Sequence, residues 1–171
     1  LQFFKDIGIN AIQGYGLTEC SPILAVNRDV ISKNESAGLP VPGVEVKVAN
    51  PDEEGIGEFI AKGPNIFMGY YHDPDTTAAS FDENGYYLTG DLGYIDKDGF
   101  VIITGRKKNV IITKNGKNVF PEEIEYLLSL NQIVQESVVS SKFDEKKDDD
   151  VIIATIFPNM EEIESRLGSS P

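Results

Sequence analysis

Short runs of β-forming residues, separated by glycine, proline and Asp-Gly turns, dominate the sequence from residue 38 onward. The clearest of these runs cover residues 44–49, 57–62, 86–88, 92–96 and 100–104. Runs this short, with turn residues this frequent, are typical of a small antiparallel sheet or barrel. Residues 97–99 join the last two runs as a predicted hairpin. One helix interrupts the pattern: Asp73 is a good N-cap, Pro74 is a good first residue, and residues 76–81 continue it.

The sections on either side of this β-rich stretch have a different pattern. Positions 1–7 predict the end of a helix, and positions 9–13 predict a short buried strand that enters a turn at 14–16. The section after Lys108 predicts, in order, a strand at 110–113, a turn at Asn115 and Gly116, a helix from Pro121, strands at 136–142 and 151–157, and a helix from Asn159. The segment 144–150 between those two strands is so charged that it predicts a solvated loop.

Apolar spacing predicts which side of each of these two helices faces inward. The inward residues are predicted to be Ile124, Leu127 and Leu128 in the first helix and Met160, Ile163 and Leu167 in the last. The fold class predicted from all these patterns is α+β. Residues 1–37 are predicted to be the tail of a larger α/β domain, 38–107 a small β-rich subdomain, and 108–171 a partial α/β domain.

Composition limits the partners of the chain. Its 171 residues carry a formal net charge of −13, which argues against a nucleic-acid partner because phosphate binding requires a basic face. No apolar run approaches the roughly 20 residues that span a bilayer. The single cysteine, Cys20, rules out an internal disulfide and predicts a reducing, cytoplasmic setting. The start at Leu1, without an initiator methionine, predicts a segment of a longer protein.

The segment Gly14-Tyr15-Gly16-Leu17-Thr18-Glu19 contains groups that suit a nucleotide. Glycines on both sides of an aromatic residue allow a base to reach the ring, and such stacking contributes about 1–3 kcal/mol. Thr18 offers a hydroxyl, and Glu19 offers a hard oxygen for Mg²⁺ or for a phosphate-bound water. The alternative is a tight strand-to-helix turn with Glu19 on the surface, and the residues alone leave both open.

Two further segments carry charged groups at turn-like positions. In Tyr87-Leu88-Thr89-Gly90-Asp91, the Asp91 carboxylate can accept two hydrogen bonds from a ribose diol, or it can bond its own backbone in a turn. In Thr104-Gly105-Arg106-Lys107-Lys108-Asn109, Arg106 can pair with ribose or phosphate oxygens, or the segment can be a solvated basic linker. When each segment is taken alone, the favoured interpretations are a turn in which Asp91 bonds its own backbone and a solvated basic linker around Arg106.

Two other residues are not predicted to carry chemistry. His72 is the only histidine and has no cluster of ligand residues at metal-binding spacing, which favours a turn position. Cys20 has no base partner in the sequence around it, which favours a small buried side chain over a nucleophile.

Together, and in this order and spacing, the three segments resemble the adenylate-forming, or AMP-binding, superfamily. That superfamily contains acyl-CoA and aryl-CoA synthetases, nonribosomal-peptide adenylation domains and beetle luciferases. The segments Gly38-Leu39-Pro40-Val41-Pro42-Gly43 and Gly69-Tyr70-Tyr71 are also similar to it, so that the resemblance covers nearly the whole chain. The stretch from Thr113 to Val119, followed by Pro121 and Ile124-Glu125, looks most like the long-chain fatty acid-CoA ligases.

The resemblance implies a role for each candidate residue. Gly14 and Tyr15 would meet the adenine, Thr18 the α-phosphate, and Glu19 the Mg²⁺ ion. The ribose would be held by Asp91 and Arg106, with Ile103 beside the nucleoside, and Lys108 would be the hinge of a C-terminal lid. Lys114 and Gly116 would contact the CoA pantetheine. The implied substrates are ATP, a fatty acid and CoA, with peripheral membrane contact possible.

Two elements of the family have no counterpart in the sequence: the Gly/Ser/Thr-rich phosphate loop and the lysine near the end of the lid. The chain alone is therefore expected to be inactive, since both elements stabilise the transferring phosphoryl group, and its exposed partner surfaces are expected to make it self-associate. Two alternatives remain open. One is an adenylation domain that loads a carrier protein, and the other is a non-catalytic binding module.

Overall fold

A computed structural model describes residues 2–114, 116–144 and 149–168 of the chain. The chain divides into two compact units, Leu1–Thr104 and Gly105–Pro171. Short helices alternate with small antiparallel sheets in the described residues, which confirms the predicted α+β class. No helix among the described residues has both the length and the apolar character needed to cross a membrane.

A three-stranded sheet organises the start of the first unit. Helix α1 (Gln2–Asp6) precedes strands β1 (Gly14–Gly16), β2 (Ile23–Val26) and β3 (Leu39–Pro40), which pair antiparallel in that order. The predicted helix end is confirmed, but the predicted buried strand at 9–13 is wrong. Ile9 and Ile12 are about half exposed, and the strand begins only at Gly14, where pairing with Val26 starts.

A second sheet of four antiparallel strands follows in the order β4-β5-β6-β7. Its strands are β4 (Glu45–Ala49), β5 (Gly57–Lys62), β6 (Tyr87–Ile95) and β7 (Val101–Arg106). The sequence predicted two strands where β6 is one continuous strand of nine residues. The chain passes Gly90 at a φ of 72°, and the pairing register shifts between Glu58 and Ile60, so that a bulge replaces the predicted break.

The connections of this sheet follow local chemistry. Helix α2 (Pro74–Ala79) begins as predicted, because the Asp73 carboxylate accepts a hydrogen bond from the Thr76 amide at 3.0 Å. It ends at Ala79, two residues before the predicted end. The predicted hairpin before β7 is confirmed by the hydrogen bond from the Gly99 amide to the Asp96 carbonyl at 2.9 Å.

The core of the first unit joins the two sheets. Leu24 from β2, Phe59 from β5 and Val101 from β7 are fully buried in one apolar cluster, together with Cys20. Tyr15 belongs to the same cluster, with its ring 6.0 Å from the ring of Phe59. The core therefore holds the segment around Tyr15 against β5.

The second unit contains two hairpins and two helices in its described residues. Its elements are strands β8 (Ile111–Ile112) and β9 (Asn118–Val119), helix α3 (Pro121–Ser129), strands β10 (Val134–Asp144) and β11 (Asp149–Pro158), and helix α4 (Met160–Leu167). Strands β10 and β11 pair antiparallel along their whole length. Helix α3 is tied to β10 by a hydrogen bond of 2.7 Å from the Val139 amide to the Glu125 carboxylate. Asn115 and most of the predicted charged loop, residues 145–148, lie outside the described residues.

The predicted inward faces of α3 and α4 are partly wrong. In α3, Leu127 is exposed, and the face that packs inward runs from buried Pro121 through half-buried Ile124 and Leu128. In α4, Met160 and Leu167 are both exposed, and only Ile163 of the predicted three is half-buried. Apolar spacing gave the helical period correctly, but the packing against β10 set the rotation of α3.

Candidate functional site

The backbone at Gly16 passes very close to the backbone at Pro22, and this contact shapes the segment around Tyr15. A Cβ on Gly16 would lie 1.6 Å from the carbonyl oxygen of Pro22, so only glycine fits at this position of β1. A 3-10 helix, Thr18–Cys20, follows directly, and the Cys20 amide donates to the Leu17 carbonyl at 2.9 Å. The chain turns back at Ser21, which has a left-handed φ of 53°. The predicted turn is therefore a short strand followed by a 3-10 helix.

The side chains of Tyr15 and Asp91 are hydrogen-bonded to each other inside the first unit. The Tyr15 hydroxyl donates to the Asp91 carboxylate at 2.9 Å, and the two residues are 7% and 4% exposed. Burial raises the pKa of the Tyr15 hydroxyl, and Asp91 adds to this effect. The phenol is therefore a proton-bearing donor to the carboxylate at any physiological pH.

The backbone around Asp91 is fixed as well. The Asp91 amide donates to the Thr89 hydroxyl at 3.1 Å, and that hydroxyl donates to the Phe59 carbonyl at 2.7 Å. Asp91 is thus a strand residue whose side chain reaches across to Tyr15. The structure brings together two of the three segments that the sequence singled out, through a contact that local spacing did not reveal.

Glu19 is held by a second phenol. The Tyr70 hydroxyl donates to the Glu19 carboxylate at 2.9 Å, and the Phe67 amide donates to the Glu19 carbonyl at 2.8 Å. Burial, and next the hydrogen bond to Glu19, raise the pKa of Tyr70 above its usual value. The sequence predicted Glu19 but assigned no role to Tyr70. No signal in local spacing links the two residues.

The donor set around Glu19 fits Mg²⁺ bound through a nucleotide. The described residues contain no group of three or more His, Cys, Asp or Glu that could hold a metal on its own. Mg²⁺ typically keeps several waters and takes one or two protein carboxylates together with substrate phosphates. A half-buried carboxylate such as Glu19, fixed at one oxygen by a hydroxyl, suits that mode.

The other predicted site residues are exposed to solvent. In the first unit, Thr18 opens the 3-10 helix and is exposed, and Ile103 is an exposed residue of β7. In the second unit, Arg106 ends β7 as an exposed side chain, and Lys108 lies in the 3-10 helix Lys107–Asn109.

Lys114 and Gly116 lie at the tip of the hairpin between β8 and β9. Gly116 has a φ of 75°, and its amide donates to the Thr113 carbonyl at 2.8 Å, which closes the turn. Lys114 is exposed at the same tip. The predicted turn is confirmed for these described residues.

The second unit also contains an open groove of about 770 Å³ that the sequence did not predict. Lys108 and residues of α3 and β10 line it. The Asn109 amide group donates to one oxygen of Glu122 at 2.6 Å, and the other Glu122 oxygen is buried without a hydrogen-bond partner in the described part of the chain.

The two residues that the sequence set aside are placed as predicted. Cys20 is fully buried, and burial raises the pKa of its thiol to about 11, which makes it a poor nucleophile. His72 is a turn residue with a φ of 53°, and its ring lies against the ring of Tyr71.

Removing the Tyr15 hydroxyl is expected to destabilise the first unit. Tyr15→Phe keeps the ring but takes a donor from a carboxylate that is 4% exposed, which costs about 1–3 kcal/mol of unfolding free energy. The matched control is Tyr86→Phe, because that hydroxyl donates to Glu45 at 2.7 Å at an exposed site and is expected to matter little. Urea unfolding measures both variants. Equal shifts of the urea midpoint in Tyr15→Phe and Tyr86→Phe would contradict a stabilising hydrogen bond between the buried Tyr15 and Asp91.

Comparison with known proteins identifies the class that this arrangement defines. The family model for AMP-binding enzymes matches residues 1–71. The long-chain-fatty-acid–CoA ligase FadD15 of Mycobacterium bovis is 37% identical over 137 residues, covering 80% of this chain and 22% of that protein. The human long-chain-fatty-acid–CoA ligase ACSBG1 is 46% identical over 123 residues, covering 72% of this chain and 17% of the relative.

Solved structures agree with these sequence relatives. O-succinylbenzoate CoA synthetase (MenE) of Bacillus subtilis, in complex with the acyl-adenylate intermediate OSB-AMP, superposes with a TM-score of 0.81 at 30% identity. The match covers 99% of this chain and 37% of that one. ATP-bound MatB of Rhodopseudomonas palustris gives a TM-score of 0.77 at 33% identity, covering 90% and 31%.

The fold is that of the adenylate-forming superfamily. Within that superfamily, the chain belongs to the acyl- and aryl-CoA ligase family. It spans about a fifth of the length of the curated relatives that it matches.

Proposed function

We propose that the full-length protein carrying this chain is an ATP-dependent acid–thiol ligase that forms AMP. A carboxylate oxygen of the acid attacks the α-phosphorus of ATP, and pyrophosphate leaves. The CoA thiol loses its proton to solvent and its sulfur attacks the acyl carbon. The bond between that carbon and the phosphate oxygen of AMP breaks, which releases the thioester and AMP. The observation that supports this proposal most is the hydrogen bond between Tyr15 and Asp91, which joins the segments assigned to adenine and ribose.

In this proposal Asp91 holds the ribose. A carboxylate offers about four lone-pair sites, so Asp91 can accept from ribose hydroxyls as well as from Tyr15. Because Tyr15 and the strand around Thr89 already fix the acceptor, little ordering is needed when the nucleotide binds. Tyr15 and Gly14 then meet the adenine, with Ile103 beside the nucleoside.

Glu19 and Thr18 are proposed to act at the phosphates. Thr18 offers an exposed hydroxyl to the α-phosphate, and Glu19 holds Mg²⁺. When bound there, Mg²⁺ would neutralise charge on the phosphate oxygens. Glu19 stays in place because Tyr70 and Phe67 bind its carboxylate and its carbonyl.

The roles in the second unit are proposed from the family resemblance. Arg106 carries a fixed positive charge for ribose or phosphate oxygens. Lys108 is the hinge of a C-terminal lid, and Lys114 and Gly116 contact the pantetheine of CoA from the hairpin tip. The proposal also divides the chain into the end of an adenylate-binding domain at 1–37, a β-rich subdomain at 38–107 and a lid at 108–171.

The proposed acid is a fatty acid, most simply a long-chain one. The two ligases FadD15 and ACSBG1, by name long-chain-fatty-acid–CoA ligases, support this choice at 37% and 46% identity. We propose a cytoplasmic location with possible peripheral membrane contact, and inactivity of the 171-residue chain by itself. Exposed apolar side chains, such as Met68 in the first unit, favour self-association of the isolated chain.

Pyrophosphate release by the full-length protein tests this function. Fatty, aryl and amino acids are offered with ATP, each with and without CoA. We expect turnover with fatty acids and thioester formation that requires CoA. The 171-residue chain, assayed in parallel, is expected to release no pyrophosphate.

The other outcomes of this assay are equally informative. Pyrophosphate release with amino acids only, unaffected by CoA, would replace the proposal by an adenylation domain that loads a carrier protein. A folded protein that turns over none of the acids would leave the non-catalytic binding module.

A further inference from the structure

The loop that contains residues 65–70 clamps the 3-10 helix on which Glu19 lies. The Asn65 side-chain amide donates to the carbonyls of Cys20 and Ile23, both at 2.9 Å. The Phe67 amide donates to the carbonyl of Glu19 itself at 2.8 Å. Three hydrogen bonds from one loop therefore fix the backbone of Glu19 and of the turn that follows it.

Tyr70 extends this clamp to the Glu19 side chain. Its hydroxyl donates to Glu19 at 2.9 Å, while its ring packs edge-on against Phe67 with the centroids 4.8 Å apart. The Tyr70 amide donates to the Thr77 hydroxyl at 2.8 Å, so α2 anchors the backbone from the other side. Gly69, with a φ of 148°, brings the chain so close to Thr77 that a Cβ would lie 2.5 Å from its methyl group.

We propose that Tyr70 is a positioning residue, whose hydroxyl holds the Glu19 carboxylate in the orientation that receives Mg²⁺ with the nucleotide. This rests on the proposed function, in which Glu19 is the metal ligand. A glutamate has three rotatable side-chain torsions, and a ligating carboxylate gains affinity when an outer hydrogen bond orients it. Tyr70 supplies that bond to one oxygen.

The contacts of Tyr70 allow an experiment to distinguish this positioning role from a purely structural one. The contact of its ring with Phe67 and the hydrogen bond from its backbone amide to Thr77 hold the loop, and neither involves the Tyr70 hydroxyl. Tyr70→Phe keeps both contacts and removes the hydroxyl that donates to Glu19. Thermal stability is therefore expected to change little, while the metal affinity falls.

The test measures metal binding directly in the full-length protein. Free Mn²⁺ is followed by electron paramagnetic resonance during titration in the presence of ATP, for wild type, Tyr70→Phe, Tyr71→Phe and Glu19→Gln. Tyr71 is the matched control, because it is the next residue, is 91% exposed and has its ring against His72 rather than near Glu19. We expect about tenfold weaker Mn²⁺ binding for Tyr70→Phe, the lower end for a lost outer contact.

Kinetics provide a second readout. The Mg²⁺ concentration that gives half-maximal pyrophosphate release is expected to rise by about the same tenfold in Tyr70→Phe, and saturating Mg²⁺ recovers the lost rate. A positioning role predicts this recovery, whereas a loss of folded protein would lower the rate at every Mg²⁺ concentration. Tyr71→Phe is expected to match wild type in both measurements.

The two proposals fail in different ways. If Glu19→Gln weakens Mn²⁺ binding but Tyr70→Phe leaves it unchanged or tightens it, the positioning role is wrong and the function of Glu19 stands. If Glu19→Gln itself leaves Mn²⁺ binding unchanged, Glu19 is not a metal ligand and both proposals for this corner of the site are overturned.

Discussion

Replacing Asp91 with alanine is expected to lower kcat/KM for ATP by about 150-fold in the full-length protein. The substitution removes an acceptor proposed to take two ribose hydrogen bonds, each contributing about 1.5 kcal/mol at a charged group, or about 3 kcal/mol together. It also leaves the buried Tyr15 hydroxyl without the acceptor that it now has at 2.9 Å. Pyrophosphate release at varied ATP, with a saturating fatty acid, measures the loss.

Two further variants separate binding from folding in this experiment. Asp91→Asn keeps an oxygen that can accept from Tyr15, so its unfolding midpoint is expected to lie nearer wild type than that of Asp91→Ala. Asp98→Ala removes an exposed aspartate of the hairpin before β7 and is expected to leave kcat/KM unchanged. A folded Asp91→Ala protein with wild-type kcat/KM for ATP would rule out the ribose contact.

The features that the sequence predicted well depend on neighbouring residues. The start of α2 follows from the carboxylate of Asp73 and the ring of Pro74, and the hairpin before β7 follows from Asp98-Gly99. In each case the donor and acceptor lie within four residues of each other, so the local sequence contains the whole interaction.

The errors came where distant contacts decide the structure. A glycine at 90 indicates a break between two strands, yet pairing with β5 carries the chain through it as a bulge. The apolar residues Ile9 and Ile12 suggested a buried strand at 9–13, but they are about half exposed and outside any strand. The rotation of α3 depends on β10, which follows it in the chain, and Leu127 was therefore assigned to the wrong face.

The candidate site shows the same division. Side-chain chemistry was enough to select Tyr15, Glu19 and Asp91 one at a time. The bond between Tyr15 and Asp91 joins residues 76 positions apart, and that between Tyr70 and Glu19 joins residues 51 apart. No local pattern contains such pairs, and Tyr70, the proposed positioning residue of Glu19, was for that reason absent from the predicted set.

Gly16→Ala is expected to destabilise the first unit by about 3 kcal/mol or more, the upper end for an overpacked site. The new Cβ would lie 1.6 Å from the Pro22 carbonyl oxygen. The backbone fixes the position of a Cβ, and the oxygen is itself a backbone atom, so no rotamer change relieves the contact. Either β1 or the chain entering β2 must move, and the same movement displaces Tyr15 from Asp91. Gly14→Ala is the matched control in the same strand, because its Cβ would meet the Ala25 oxygen at 3.3 Å and needs a shift of only a few tenths of an ångström.

Cys20 offers a measurement of this effect that is specific to the first unit. It is the only cysteine of the chain, it is fully buried, and burial raises the pKa of its thiol to about 11. A thiol reagent at neutral pH therefore reacts only when this unit opens, and under fast reclosing its rate is proportional to the open population. A loss of 3 kcal/mol raises that population by about 150-fold. We expect Gly16→Ala to label at least that much faster than wild type and Gly14→Ala to stay close to it. Equal rates for the two variants would mean that the approach of Gly16 to Pro22 does not hold the segment around Tyr15 in place.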